Sequence, residues 1–282
     1  MKIKNLGVIG SGTMGNGIAQ VCAIAGLDVV MVDISDTAVE RGLATIRSSL
    51  ERLVKKGTLT AENRNGTLAR IQGTTSYDHL KGVDLVIEAA TERKDLKISI
   101  LKHVEELVSS DAIIATNTSS ISITELAGAL AKPERFIGTH FFNPVPMMTL
   151  LELIRGLQTS DATHSQLLAF AAQLGKTAIT SKNSPGFVVN RILVPMINEA
   201  IFVLQDGLAS AEDIDAGMRL GCNHPIGPLA LADMIGLDTL LAVMEVFYDG
   251  FSDSKYRPAP LLMEMVSAGW LGRKSGRGFY SY

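Results

Sequence analysis

IKNLGVIGSGTMGNGIAQVCAIAGLDVVMVD, residues 3–33, decides the fold. It begins with a short apolar run at 3–9 that enters GSGTMG at 10–15. NGIAQVCAIAG at 16–26 follows with helical spacing and stops at Gly26, a suitable helix cap. VVMV at 29–32 then ends on Asp33. Strand, glycine-rich turn, helix and strand make a βαβ unit. Within it the glycines have separate jobs. Gly10 permits the tight turn, Gly12 lets a pyrophosphate approach the backbone, and Gly15 lets helix and strand pack closely. Ser11, Thr13 and Met14 complete the candidate loop, whose free N–H groups and helix dipole favour an anion. A glycine-rich turn alone is weak evidence. This one follows a strand, opens a helix and has an acid at the end of the next strand, as a dinucleotide fingerprint requires. Asp33 is expected to accept hydrogen bonds from the adenine ribose, and its charge disfavours a 2′-phosphate, so NAD is expected over NADP. Its bland alternative is a capping or solvated turn aspartate.

Outward from that unit, segment 36–57 reads as a long amphipathic helix with Val39, Leu43, Ile46, Leu50 and Leu53 on one face. A shorter helix is expected at 60–70, and the pair is expected to project from the sheet. Strands are predicted at 83–89 (VDLVIEA), 112–116 (AIIAT) and 135–140 (RFIGTH). Ser122 and Glu125 have capping-box spacing before a helix at 123–131. After Pro144–Val145–Pro146 the pattern predicts a strand at 149–154, a helix at 160–174 and a strand at 176–180. This alternation means an α/β Rossmann-type domain with a doubly wound, mostly parallel sheet, assigned to residues 1–184. From Pro185 the chain reads as helices. One is expected over about 186–206, kinked at Pro195. Another is capped near Ser210–Asp213, and GPLALADMIGLDTLLAVMEVFYDGF at 227–251 supplies one or two more. Residues 185–282 are therefore an expected all-α domain, whose apolar helices suggest pairing with a second copy as a homodimer.

Composition narrows the function classes. Of 282 residues, 46% are hydrophobic and 20% charged, the balance of a globular protein. A net charge of -3 argues against nucleic acid as a partner. No uncharged apolar stretch reaches membrane-spanning length, and structure is expected from Ile3, without a targeting segment; the cytoplasm is the default. Cys22 and Cys222 form no metal-ligand cluster, so no metal is expected.

Two further features bear on chemistry. His140 closes a predicted strand on the edge where open α/β sheets bind ligands, and imidazole titrates near operating pH. A lone histidine is more often structural. Glu152, however, interrupts an apolar strand that the Pro-Val-Pro turn can fold back beside His140, and a buried carboxylate needs a partner. The pair would form a general base steadied by an anion. A glutamate on an exposed strand face is the alternative. Separately, Arg47, Arg52, Lys55 and Lys56 cluster on helix 36–57 of a net acidic chain. Such a cluster could hold phosphates, or could be a solvated face favourable to the helix dipole.

GSGTMG with Asp33, ATER at 90–93, NTSS at 117–120, GTHFFNPVPMMTLLE at 138–152 and SPGFVVNR at 184–191 together resemble the 3-hydroxyacyl-CoA dehydrogenases, and in particular their short bacterial 3-hydroxybutyryl-CoA members. The resemblance covers essentially the whole chain. It implies NAD-dependent, reversible oxidation of an (S)-3-hydroxyacyl-CoA with His140 as acid/base and Glu152 behind it. It makes Ser119 a partner of the substrate oxygen close to the nicotinamide, and Asn190 a substrate contact; as alternatives, Ser119 would cap a helix and Asn190 would bond structurally between domains. Glu92, Lys97, Asn117, Asn143 and Lys274 match family positions that contact NAD, although both lysines could be ordinary surface residues. Ser49, Arg52 and Lys56 are implied to meet the CoA. Two other readings stay open: a related dehydrogenase of free hydroxy acids, such as sugar acids, and a non-catalytic NAD-binding, crystallin-like protein.

Overall fold

The structure, a computed structural model, describes residues 3–282. The chain divides into two compact units, one ending at Asn183 and the other starting at Ser184.

In the first unit, β1 (Asn5–Ile9), β2 (Asp28–Val32), β3 (Ile71–Thr74), β4 (Leu85–Glu88), β5 (Ile113–Thr116), β6 (Phe136–Phe141), β7 (Leu150–Arg155) and β8 (Thr177–Lys182) form one sheet in the order β3-β2-β1-β4-β5-β6-β7-β8. All neighbours are parallel except β6 and β7. The central strands are apolar throughout because both faces are covered: Leu6, Val8, Leu85, Val86, Ile87 and Ile114 are all fully buried. Strand order reverses between β1 and β4, the switch point at which such sheets bind ligands. The helices α1 (Thr13–Ile24), α2 (Asp36–Lys55), α3 (Ala61–Ala69), α4 (Lys94–Leu107), α5 (Ile123–Ala127) and α6 (Asp161–Gln173) connect the strands.

α2 starts where Ser35 accepts a hydrogen bond from the Ala38 amide, with Asp36 in the first turn and Arg52 and Lys55 in the last, all favourable to the helix dipole. The expected projection of this insertion is limited. Ile46 and Leu50 are fully buried in the sheet core, so α2 lies against the domain along its apolar stripe.

The edge strand β3 is an element that the sequence pattern does not signal. IQGT is short and its Gly73 weakens strand propensity. That glycine is needed because a Cβ there would collide with the Val39 side chain of α2. The helix expected over 123–131 ends at Ala127; beyond it, the Ala129 and Leu130 amides bond carbonyls three residues back.

The second unit is helical: α7 (Val189–Gln205), α8 (Ala211–Gly221), α9 (Pro228–Ile235), α10 (Leu237–Phe251) and α11 (Pro260–Ser267). They pack around Ile197, Ile201, Leu229, Leu240, Met244, Phe247 and Leu262. α7 starts three residues later than expected because Gly186 and Phe187 take left-handed φ values of 73° and 54°. It runs on through Pro195. The 227–251 stretch divides into two helices at Gly236, where φ is 100°. No helix among the described residues is long and apolar enough to cross a membrane.

Candidate active site

The glycine-rich loop leaves β1 at the switch point. Gly10, at φ 96°, has no room for a side chain: a Cβ would lie 2.6 Å from the Ala89 carbonyl oxygen. At Gly15 a Cβ would collide with the Gly10 carbonyl. Gly12 differs, because a Cβ there would meet nothing within 4 Å. Protein packing therefore demands Gly10 and Gly15, whereas Gly12 opens outward onto the N-terminus of α1. No side chain caps that terminus. An open glycine over uncapped N–H donors fits a dinucleotide pyrophosphate.

Asp33 faces this loop. Its Oδ2 accepts hydrogen bonds from the Ser11 amide at 2.7 Å and the Ser11 hydroxyl at 2.6 Å, and its Oδ1 accepts from the Ile34 amide at 2.7 Å. Partial burial alone would raise its pKa, but the Ser11 hydroxyl and amide and the Ile34 amide together hold the carboxyl below its ordinary range. The anion is thus fixed where an adenine ribose would lie.

A buried charge cluster occupies the carboxyl ends of β4 and β5. Lys97 is no surface lysine; it is 1% exposed. Its ammonium donates to Glu88 Oε1 and Oε2 at 2.8 and 2.9 Å, and lies 3.3 Å from Glu92 Oε2. Glu92 in turn gathers the NTSS turn. Its Oε1 accepts from the Thr118 hydroxyl, from the Ser119 amide at 2.9 Å and hydroxyl at 3.4 Å, and from the Ser120 amide at 3.2 Å. Burial would push the Glu92 carboxyl up, but the Lys97 ammonium and the Thr118 and Ser119 hydrogen bonds hold it below its ordinary range. Glu88, which is fully buried, is the residue that sequence reasoning missed.

His140 and Glu152 stand directly opposite each other in the antiparallel β6–β7 pair. The imidazole Nδ1 lies 2.6 Å from Glu152 Oε2; the histidine is 6% exposed and the glutamate fully buried. With the carboxylate ionised, Nδ1 carries the proton it donates, and Nε2 is the basic nitrogen. The Phe142 ring packs on the imidazole at 4.5 Å between centroids. Asn117, just past β5, accepts at Oδ1 from the Phe141 amide at 2.9 Å, tying the NTSS turn to the His140 strand. The loop, the charge cluster, Ser119 and His140 therefore share one edge of the sheet. Asn143 follows on the exposed start of the Pro-Val-Pro turn.

The remaining candidates lie on α2 and in the second unit. Ser49 is half-buried on α2, Arg52 is exposed with a 2.9 Å hydrogen bond to the Ser48 hydroxyl, and Lys56 caps the helix in solvent. Asn190 and Lys274 belong to the second unit. Asn190 lies in the first turn of α7, and Lys274 forms an ion pair with Asp238. No group of three or more potential metal ligands occurs among the described residues.

Residues 5–184 match the family model for the 3-hydroxyacyl-CoA dehydrogenase NAD-binding domain, and residues 186–282 match the model for the C-terminal domain. The chain is 54% identical to a 3-hydroxybutyryl-CoA dehydrogenase of Bradyrhizobium diazoefficiens, over 99% of this chain and 96% of that protein. It is 49% identical to one from Clostridioides difficile, over 98% and 99%. Among solved structures, (S)-3-hydroxybutyryl-CoA dehydrogenase from Ralstonia eutropha superposes with a TM-score of 0.98 at 66% identity, covering 100% of this chain and 99% of that one.

Proposed function

Because the chain belongs to the 3-hydroxyacyl-CoA dehydrogenase family, we propose that it interconverts (S)-3-hydroxybutyryl-CoA and its 3-keto thioester with NAD as the redox partner. NAD dependence and action on 3-hydroxyacyl-CoA follow from that membership; the four-carbon chain and the (S) hydroxyl are supported by the relatives named above. One observation carries the chemistry: the 2.6 Å pairing of His140 with a fully buried Glu152, on the sheet edge that also carries the glycine-rich loop.

Bound NAD supplies the acceptor for the hydride that leaves C3. The protein handles the proton. As the C3 alcohol is oxidised, His140 takes its proton at Nε2, while Nδ1–H stays with Glu152. The resulting imidazolium faces a carboxylate in a water-poor site, which stabilises it as charge develops. Ser119 holds the C3 oxygen through its hydroxyl. In the reducing direction His140 returns the proton. Asp33 receives the adenine ribose, and the loop from Gly10 to Gly15 receives the pyrophosphate. Asn117, Asn143 and Lys274 are assigned cofactor contacts, and Asn190 a substrate contact, on the family pattern.

At the thioester end, Ser49, Arg52 and Lys56 are assigned to CoA phosphates, supported by the exposed cations along α2. Exposed Ile192, Leu208 and Leu220 in the helical unit support pairing of two copies through that unit. Cys22 and Cys222 are free thiols, which suits a reducing cytoplasm.

The test is a kcat/KM series over 3-ketoacyl-CoA substrates from four to sixteen carbons, with NADH and with NADPH, beside free 3-hydroxybutyrate. The four-carbon thioester with NADH should be the best pair. Equal efficiency with NADPH would remove the role of Asp33. Free acid matching the thioester would favour a hydroxy-acid dehydrogenase, and absence of turnover with every thioester would sink the assignment.

A further inference from the structure

Glu88 closes β4 at the point where strand order reverses, and the mechanism above gives it no part. Its side chain is fully buried and saturated. Oε1 accepts from the Ala90 amide at 2.7 Å and from Lys97 Nζ at 2.8 Å; Oε2 accepts from Lys97 Nζ at 2.9 Å and from the Thr116 hydroxyl at 2.6 Å. Lys97 has three protons to donate. Glu88, Glu92 and the Ala90 carbonyl oxygen, 3.3 Å away, accept them. The Lys97 ammonium is thus held by protein acceptors on several sides.

We propose that Glu88 is a positioning residue for the reaction: it anchors the Lys97 ammonium, which fixes the Glu92 carboxylate, which in turn fixes Ser119. The inference rests on the reading of Ser119 as the hydroxyl that meets the C3 oxygen. Glu92 is held from two sides. Its Oε1 faces the Thr118–Ser120 turn and its Oε2 faces Lys97. A carboxylate gripped at both oxygens does not rotate. Glu88 keeps the grip balanced by taking most of the ammonium. Without the Glu88 charge, Lys97 retains one anion, Glu92. Charge-assisted hydrogen bonds are roughly twice as strong as neutral ones. The ammonium therefore draws Glu92 toward α4 and away from the Ser119 and Ser120 amides.

Glu88→Gln keeps the size of the side chain and removes its charge. In the reduction of acetoacetyl-CoA by NADH, kcat should fall by at least about tenfold, while the NADH Kd stays within about threefold. The Ser119 and Ser120 amides should exchange hydrogen faster than in the parent protein. The double variant Glu88→Gln with Lys97→Met removes the ammonium and leaves Glu92 its hydrogen bonds to the Thr118–Ser120 turn. It should recover at least about threefold in kcat over the single variant and slow both amides again, because the competing ammonium is gone. A merely structural role gives no such rescue.

Unchanged kcat or unchanged amide exchange in Glu88→Gln overturns the proposal, as does a double variant slower than the single one. Should Glu88→Gln fail to fold, Thr116→Val removes one donor to Glu88 and no charge. Slower turnover with faster Ser119 exchange then supports the relay, and parental behaviour in both refutes it. Amide exchange needs no substrate. An inactive parent protein would therefore sink the dehydrogenase reading while leaving the relay to stand or fall on exchange.

Discussion

Replacing Glu152 by Gln tests the centre of the mechanism with little change of volume. The carboxylate is fully buried, 2.6 Å from the imidazole Nδ1. Across such a bond the charge centres of imidazolium and carboxylate lie roughly 4 Å apart, and their attraction at an effective dielectric of about 20 is ~4 kcal/mol. Glutamine forfeits that attraction when the alcohol proton arrives. At about 1.4 kcal/mol per decade of rate, kcat should drop by about three decades. A second effect adds to the loss. The glutamine amide can donate to Nδ1, moving the ring proton to Nε2 and disabling the base. Neither effect touches the loop from Gly10 to Gly15, so NADH affinity should be nearly unchanged. The assay is steady-state NADH absorbance in both directions, with NADH fluorescence for binding. If kcat stays within about tenfold of the parent while NADH still binds, the buried carboxylate does not stabilise the imidazolium, and the dyad account is wrong.

Lys56→Glu should raise KM for acyl-CoA with kcat nearly unchanged, more strongly at low salt because an exposed cation is screened; a KM independent of this reversal would remove α2 from the CoA site. The Glu92 carboxyl is held below the ordinary glutamate range by Lys97 and its hydrogen bonds, so the stability it adds is fully present above the usual glutamate pKa of about 4.3 and is lost as pH falls through the lower folded value. The Tm gap between the parent protein and Glu92→Gln should therefore be constant near neutrality and shrink only below about pH 4.5. Thermal melts across that range check this, and a gap that closes above pH 5 or widens toward acid contradicts the sign.

Much of this architecture is local information. The βαβ unit at 3–33 can be read because its motif residues have local roles: Gly10 and Gly15 are demanded by backbone contact, Gly12 faces open space above a helix end, and Asp33 stands where β2 stops. The His140–Glu152 pairing is also legible, since a proline-bounded turn between two strand patterns permits only an antiparallel return, which brings those two positions face to face. Other features depend on long-range contacts that spacing does not encode. β3 forms by pairing with β2 where Gly73 leaves room for α2, and α7 starts late because Gly186 and Phe187 adopt left-handed backbone. Lys97 looks like a surface lysine on an amphipathic helix until the fold brings Glu88 beneath it.

Glu88 and Glu152 carry related signals, an acid at the end of one apolar strand and an acid inside another, yet only one of them stands out from sequence. The difference lies in the partner. Glu152 pairs with a residue twelve positions away across one turn, and that partner is a histidine with an evident use for an anion. Glu88 pairs with a lysine nine positions on, across a strand end and the first turn of α4, and with a threonine on a neighbouring strand. Lysine and threonine suggest no chemistry by themselves. A carboxylate in either strand nevertheless needs compensation for burial, since an unpaired buried charge costs several kcal/mol. The physical demand on both acids is therefore equal. It follows that every acid interrupting an apolar strand at the carboxyl edge of such a sheet calls for a cation or donor set to be identified before it is set aside as exposed. Here that demand leads from Glu88 through Lys97 and Glu92 to Ser119.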